Sequence, residues 1–167
     1  RLQKLKILGE DKKKYYQYNL KNKYENLKTK TKSNSLDDIY YELKQKIKIS
    51  DINNSNINRA EQLFNKTNQF NFTTNRYNKN QLINIKNKPF ATIKLLSLSD
   101  KFGEHGIIGC FIYIHQKNCI IVSDFLLSCR ILSRKIEEYI IYLIQKKNKN
   151  KEIYLRHVKT DKNKELI

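Results

Sequence analysis

Apolar side chains recur at helical spacing in the middle and near the end of the chain. Ile57, Ala60, Leu63 and Phe64 lie three or four residues apart, which is the spacing of one helix face. We therefore predict a short helix from Ile57 to about Asn65. A second short helix is predicted over Asn80–Asn87, and a longer one follows Ser133, with one face formed by Ile136, Tyr139, Ile140, Leu143 and Ile144.

Between these helices the pattern changes to short runs rich in Ile and Val. It predicts strands over Phe90–Leu98, Ile107–Ile114 and Cys119–Val122, with Lys117 and Asn118 at the turn of a hairpin. After the last helix, Lys151–Val158 is predicted as a strand of the parallel type. Two helices, three antiparallel strands, a helix and a strand make an α+β fold with a central mixed sheet.

Residues 1–50 have a different character, because they are rich in Lys and Tyr. Leu36, Ile39, Tyr40 and Leu43 have helical spacing, so we predict two helical pieces that form a basic linker. A solvated and partly disordered arm is the alternative. The remaining residues, 51–167, are predicted to form one domain.

The formal net charge of +18 would usually indicate a polyanionic partner. The excess of Lys is spread along the whole chain, however, and only six of the 34 basic residues are Arg, as an AT-rich coding bias would produce. This spread argues against a nucleic-acid partner. The three cysteines form no CxxC pair and no zinc spacing, which fits a reducing compartment, and no apolar run approaches the ~18 residues of a membrane span.

The first candidate site is the helix and loop from Arg59 to Arg76. A loop dense in amides and hydroxyls can place many hydrogen-bonding groups around a polar ligand. An ordinary helix exit in an Asn-rich chain explains the same residues. The candidate binding residues of this segment are Arg59, Gln62, Lys66, Thr67, Asn68, Gln69, Asn71 and Arg76.

The second candidate is the stretch from Asp100 to Gly109, which holds three of the four glycines. Glycines clustered in a glycine-poor chain indicate positive φ or a close approach of the backbone. A turn between strands explains two of them without a ligand, and His105 is predicted as a turn residue.

The third candidate is the junction from Ser128 to Glu137, where a strand gives way to a helix N-terminus. Free backbone N–H groups there suit a phosphate or an oxyanion, and Arg130 and Arg134 could add contacts. Cys129 beside two Arg could have thiolate character and is the candidate catalytic residue. A small buried residue at the end of a strand is the alternative for Cys129.

Taken in order, these segments resemble the FkbH-like proteins. The resemblance lies in Arg59-Ala-Glu-Gln-Leu, Lys66-Thr-Asn-Gln-Phe-Asn, Thr73-Thr74, Arg76-Tyr77, Asp100-Lys-Phe-Gly103, Ser128-Cys-Arg130, Arg134 and Glu137. It implies a phosphatase-like domain of the HAD superfamily, subfamily IIIC, followed by a GNAT-like (acyl-CoA N-acyltransferase-like) domain. Such bacterial proteins make glyceryl thioesters on an acyl carrier protein, from a phosphorylated three-carbon acid, for polyketide-type or surface-saccharide pathways.

Two departures from that family qualify what the resemblance implies. No Asp-x-Asp motif occurs, so the HAD domain and its Mg²⁺ are expected upstream of this chain, and the GNAT-like domain is expected to be incomplete at its C-terminus. The glycines of the loop that binds pyrophosphate in GNAT folds are replaced by Ser133 and Lys135, which argues against ordinary acyl-CoA binding. No cofactor is therefore assigned to the chain itself.

The resulting hypothesis is a cytoplasmic acyl-transfer module that meets the phosphopantetheine arm of an acyl carrier protein and a small phosphorylated or acyl substrate. In it Cys129 carries the acyl group, Arg130 and Arg134 bind phosphate, and Glu137 orients one of them. The helix and loop from Arg59 to Arg76 form the opposite wall, with Asp100 and Gly103 as further binding residues and no metal site. A non-catalytic basic domain that docks a carrier protein or binds nucleic acid is the alternative.

Overall fold

The computed structural model describes residues 9–30, 42–132 and 134–163. In chain order the elements are helix α1 (Gly9–Lys30), strand β1 (Lys46–Asp51), helices α2 (Ile57–Lys66) and α3 (Lys79–Lys86), strands β2 (Ala91–Asp100), β3 (Gly103–His115) and β4 (Cys119–Leu127), a 3-10 helix (Cys129–Ile131), helix α4 (Ile136–Lys147) and strand β5 (Glu152–Leu155). The predicted α+β fold is confirmed, and the order from α2 to β5 is the one that the GNAT-like resemblance implies.

The five strands form one mixed sheet in the order β1-β2-β3-β4-β5. β3 pairs with β4 in antiparallel register, with Gly109 opposite Leu127 and His115 opposite Ile120. β5 pairs with β4 in parallel, so the predicted parallel strand is confirmed. The predicted end of β4 at Val122 is wrong, because the strand continues past the polar pair Ser123 and Asp124 to Leu127.

The prediction that residues 1–50 form a basic linker of two helical pieces is wrong at its end, where Lys46–Asp51 forms β1. Lys46, Ile47, Lys48 and Ile49 alternate between polar and apolar, and this period-2 pattern is typical of a strand. The first helical piece is confirmed by α1. The second, around Leu36–Tyr40, lies outside the described residues.

The chain divides into two compact units, Arg1–Lys46 with Leu98–Gly106, and Ile47–Ser97 with Ile107–Ile167. In the first unit, Tyr24 and Leu43 are buried together and Leu27 and Phe102 pack against them. His105 lies inside β3 and not in the turn that was predicted for it, and its Nε2 is 2.7 Å from Oδ2 of Asp100.

Two of the glycines in this region have the backbone that their clustering predicts. Gly103 has φ +138° and Gly106 has φ +69°, and L side chains rarely adopt such angles. Gly103 is a predicted binding residue, but a Cβ at this position would collide with the hydroxyl of Tyr16. Within the first unit, close packing therefore accounts for Gly103.

The core of the second unit is built on the apolar face of α2. Ile57, Ala60, Leu63 and Phe64 are buried against Leu82 of α3 and against sheet residues, which include Ile93, Leu95, Cys110, Ile112 and Leu126. α4 buries Ile136, Ile140 and Ile144 of the predicted face. The prediction is wrong for Tyr139, which is exposed, and Leu143 is half-buried. No helix within the described ranges is long and apolar enough to cross a bilayer.

Candidate functional site

A β-bulge in β4 turns two neighbouring polar residues toward one cavity. Ile112 of β3 lies opposite Asp124, and the next residue, Tyr113, lies opposite Val122, so Ser123 is the extra residue. In a regular strand, adjacent side chains point to opposite faces of the sheet. A bulge breaks this alternation and re-aims side chains, which explains why Ser123 and Asp124 both line the same cavity.

Asp124 is the centre of a buried polar network, with only 2% of its surface exposed. Its Oδ1 accepts hydrogen bonds from Thr73 Oγ1 at 2.5 Å and Asn75 Nδ2 at 2.7 Å. Its Oδ2 accepts from Ser123 Oγ at 3.1 Å and from the Tyr77 hydroxyl at 3.3 Å. All four donors are neutral, and none of the described residues forms an ion pair with Asp124.

The Asp124 carboxylate also affects the acidity of two neighbouring groups. Burial and the charge of Asp124 raise the pKa of Tyr77 to about 12, so the phenol keeps its proton at neutral pH. Burial, and to a smaller extent the same charge, raises the pKa of the Cys110 thiol. Cys110 is therefore a protonated core residue and a poor nucleophile.

The cavity above Asp124 has a volume of about 380 Å³. Ile85, Ile112 and Ile114 contribute apolar wall, while Gln81 and Asn84 of α3 contribute amides. Lys88, Phe90 and Arg156 also line it and, like Gln81 and Asn84, are exposed, so both cations of the lining lie at its exposed rim. The cavity thus combines an acidic interior with a basic entrance.

Three of the predicted binding residues between Arg59 and Arg76 hold the polar loop between α2 and α3 (residues 67–78) in place. Arg76 Nη1 donates to the carbonyls of Phe64 and Thr67, the latter at 2.8 Å, and Nη2 donates to Asn68 Oδ1. Asn71 is fully buried, and its Oδ1 accepts from the backbone N–H of Thr74 at 2.9 Å. Lys66 and Gln69 are exposed.

Arg59 and Arg130 lie at the place where the first and third candidate segments meet. Arg59 Nε and Nη2 donate to the Ile107 carbonyl at 3.2 and 3.1 Å, and Nη1 donates to Gln62 Oε1. The next carbonyl, of Ile108, accepts from the Ser128 N–H at 2.7 Å, and Ser128 Oγ accepts from Arg130 Nε at 3.1 Å. These contacts connect the two side chains to consecutive residues of β3, Arg59 directly and Arg130 through Ser128.

The two guanidinium groups are half-buried and influence each other. Burial lowers the pKa of Arg59, and the positive charge of Arg130 lowers it further. Burial likewise lowers the pKa of Arg130, and a negative charge on Cys129 would oppose that shift. No ion pair with a carboxylate is formed by either group within the described part of the chain.

The remaining predicted residues of the third segment lie between β4 and α4. Cys129 is exposed at the start of the 3-10 helix, whereas Arg134 is only 2% exposed. Lys135 has φ +54° and no side chain of the described residues caps α4. Oε2 of Glu137 is buried without a hydrogen-bond partner among the described residues, and its role in orienting an arginine stays a prediction. Ser133 lies outside the described residues.

No protein-family model matches the sequence, and no curated protein matches it. The chain is similar to several solved structures, among them the following three. The first is the ribosomal-protein-S18-alanine N-acetyltransferase from Escherichia coli, at 9% identity and TM-score 0.48 over 66% of this chain and 66% of that one. The second is an acetyltransferase from Trypanosoma brucei, at 10% identity and TM-score 0.48 over 70% of this chain and 85% of that one.

The third is the GCN5-related glucosamine N-acetyltransferase region of a fungal multi-domain GH3 beta-N-acetylglucosaminidase. Here the identity is 11% and the TM-score 0.47, over 71% of this chain and 14% of that one. At these identities and TM-scores the similarity says nothing about the chemistry of the side chains.

The contacts described above divide the predicted site residues into separate groups. Arg59, Gln62, Cys129 and Arg130 lie around the contact between the first and third segments, whereas Asp100 and Gly103 belong to the other compact unit. The Asp124 cavity was not predicted. Its signal is the single carboxylate in the run Cys119-Ile-Ile-Val-Ser-Asp-Phe-Leu-Leu127, because an acidic residue in an otherwise apolar strand is seldom there for packing.

Proposed function

We propose that the chain is an acyl-transfer module that takes its acyl group from a phosphopantetheine thioester, whose phosphate is bound by Arg59 and Arg130. The observation that carries this proposal is that the half-buried Arg59 and Arg130 are connected to consecutive residues of β3 and that, among the described residues, neither forms an ion pair with a carboxylate. Guanidinium groups stay protonated at neutral pH and bind phosphate through paired N–H donors. A phosphate placed between them would relieve their mutual repulsion.

Cys129 is the proposed first acceptor of the acyl group. Its thiolate would attack the thioester carbon, the C–S bond of the donor would break, and the departing thiol would take up the proton that Cys129 released. A second nucleophile would then displace Cys129 in the same way. The exposure of Cys129 and its position next to Arg130 support this role, because the thiol is within reach of a ligand whose phosphate Arg130 would bind.

The sequence resemblance supports a more specific proposal. In it the parent protein is FkbH-like, bacterial and cytoplasmic, with an upstream HAD-type domain that uses Mg²⁺, a basic linker over residues 1–50 and the acyltransferase domain over residues 51–167. The glyceryl or similar small acyl thioester that the parent protein forms on an acyl carrier protein would then be the donor from which Cys129 takes the acyl group. Arg134 would support the phosphate contacts from its buried position, and Glu137 would orient it.

Alkylation rates are expected to separate the three cysteines. Cys129 is exposed, Cys119 is half-buried with its thiol on Gln116 Oε1, and Cys110 is buried with a raised pKa. With iodoacetamide near neutral pH, followed by mass spectrometry of the digested protein, Cys129 should react first and Cys110 should stay unmodified in the folded state. Reaction of Cys129 no faster than Cys110 would remove the reason for assigning it a carrier role.

The proposed activity is tested by release of free thiol from acetyl-phosphopantetheine, followed with a thiol reagent. The intact protein should gain one acetyl group, and digestion should place it on Cys129. Lys147→Ala removes an exposed positive charge at the end of α4 and should leave the rate of thiol release unchanged. Release no faster than in buffer would contradict the proposal.

A further inference from the structure

We propose that the cavity above Asp124 binds a small zwitterionic amine, with its ammonium group against Asp124 and its anionic group against Arg156 and Lys88. This inference deepens the proposed function, because it names the class of acceptor for the acyl group and so rests on that function for its biological meaning. The binding itself depends only on the residues that line the cavity.

The interior of the cavity offers a negative charge that the described residues do not neutralise. Asn75 Nδ2 can only donate, and the three hydroxyls of Thr73, Ser123 and Tyr77 lie within hydrogen-bond distance of the same carboxylate. Four neutral donors solvate a carboxylate but do not balance its charge. Asp124 lines the cavity, and Ser123 Oγ lies 3.3 Å from the Ile112 carbonyl, which gives its proton an alternative acceptor. A ligand ammonium group could therefore take the place of Ser123 on the Asp124 carboxylate and supply the missing charge.

The mouth of the cavity carries the opposite charge. Lys88 and Arg156 are both exposed, and neither forms an ion pair with any of the described residues. The backbone N–H of Arg156 donates to the Val122 carbonyl at 3.0 Å, which fixes Arg156 beside the bulge. The charge of Arg156 also acts on the Tyr77 hydroxyl, where it opposes the effect of Asp124. One cavity thus has a negative interior and a positive entrance.

These charges favour a zwitterion over the other small molecules of similar size. A simple anion would meet Asp124, and a simple cation would have to pass Lys88 and Arg156. A neutral polyol would leave both charges uncompensated. The volume of about 380 Å³ is near the lower end of ligand pockets, which span roughly 300–1,000 Å³. Ile85, Ile114 and Phe90 leave room for a short apolar or sugar-like body between the two charged ends.

An amino acid and an amino-sugar phosphate share this chemistry, and the test distinguishes them. Isothermal titration of the whole chain would use serine with serine methyl ester and N-acetylserine, and glucosamine 6-phosphate with glucosamine and glucose 6-phosphate. We expect one of the two zwitterions to bind, and each of its two analogues that lack a charge to bind about 10- to 100-fold more weakly. Whichever zwitterion binds shows whether the ligand is an amino acid or an amino-sugar phosphate.

Two kinds of variant test which protein side chains bind the two charged ends of the ligand. Asp124→Asn should abolish the preference for the ammonium group, and Arg156→Gln with Lys88→Ala should abolish the preference for the anionic group. Lys147→Ala should leave both preferences unchanged. If Asp124→Asn does not fold, the exposed residues Lys88 and Arg156 still test the anionic half, and Tyr77→Phe, which keeps the ring, tests the polar interior.

The inference is overturned if neither zwitterion binds at millimolar concentration, or if glucose 6-phosphate binds as tightly as glucosamine 6-phosphate and N-acetylserine as tightly as serine. A hydroxyl acceptor would be indicated in the second case. Because the titration contains no acyl donor, its outcome is separate from the proposed transfer. Zwitterion binding without thiol release would contradict the proposed function and leave the cavity assignment intact. Thiol release without zwitterion binding would contradict the cavity assignment and leave the proposed function intact.

Discussion

Replacing Phe125 with alanine is expected to lower the free energy of unfolding by about 3–5 kcal/mol, the usual cost of truncating a buried Phe. The Phe125 side chain is 1% exposed. Its ring lies 5.3 Å from Phe70 and 6.3 Å from Phe111 in edge-on contact, and it stacks on Phe72 at 5.8 Å. Alanine would remove all three ring contacts and leave a cavity between the strands and the polar loop.

The loss would be measured by urea denaturation followed by circular dichroism. Tyr139→Ala is the matched control, because Tyr139 is 47% exposed on α4 and exposed sites usually change stability by no more than about 0.5 kcal/mol. Phe125→Leu, which keeps most of the volume, covers the case in which the alanine variant does not fold. A loss below about 1 kcal/mol for Phe125→Ala would show that the aromatic cluster is not a stabilising core.

Replacing both Arg59 and Arg130 with alanine is expected to lower kcat/KM for a phosphopantetheine thioester by about 100-fold or more. Each hydrogen-bonded charge contributes about 1.5–3 kcal/mol, or roughly 10- to 100-fold. The two effects should not add fully, because both groups are proposed to contact the same phosphate. Each single variant should therefore account for a larger share of the double variant's loss than it would if the two groups acted independently.

Controls separate the loss of phosphate binding from loss of structure. Arg59 also holds the Ile107 carbonyl, so the thermal midpoint of each variant must be measured beside its kinetics. Arg130→Lys keeps the charge and loses the planar donor pair, and should fall between the wild type and Arg130→Ala. A double variant that folds normally and turns over phosphopantetheine thioesters at the wild-type rate would exclude the assigned phosphate site.

The parts of the fold that sequence predicts are those determined by local patterns. α2 and α4 have strong apolar periodicity and were predicted to within a few residues. β1 was missed because Lys46-Ile-Lys-Ile49 is a short alternating stretch that follows a long Lys-rich segment. Its Lys-rich composition resembles that of the segment, so the alternation of polar and apolar residues was not recognised as a strand. The end of β4 was missed because Ser123 and Asp124 interrupt an apolar run that the backbone pairing continues through.

The candidate site depends on contacts that are distant in sequence. Arg59 and Arg130 were each singled out, but their meeting requires β3 to lie between α2 and the end of β4. Asp124 and its donors Thr73 and Asn75 are about fifty residues apart along the chain, and only the pairing of the bulged strand with the polar loop brings them together. The pattern of one segment carries no information about such a pairing.

The most direct measurement of the central claim is the difference in affinity between phosphopantetheine and pantetheine, which differ only in the phosphate. Isothermal titration of the chain should show phosphopantetheine binding about 10- to 100-fold more tightly. The difference should shrink at high salt, as screening weakens partly exposed charges, and it should vanish in Arg59→Ala/Arg130→Ala. Equal affinity for the two ligands, or a preference that survives in the double variant, would contradict the proposal that these two guanidinium groups bind the phosphate of an acyl donor.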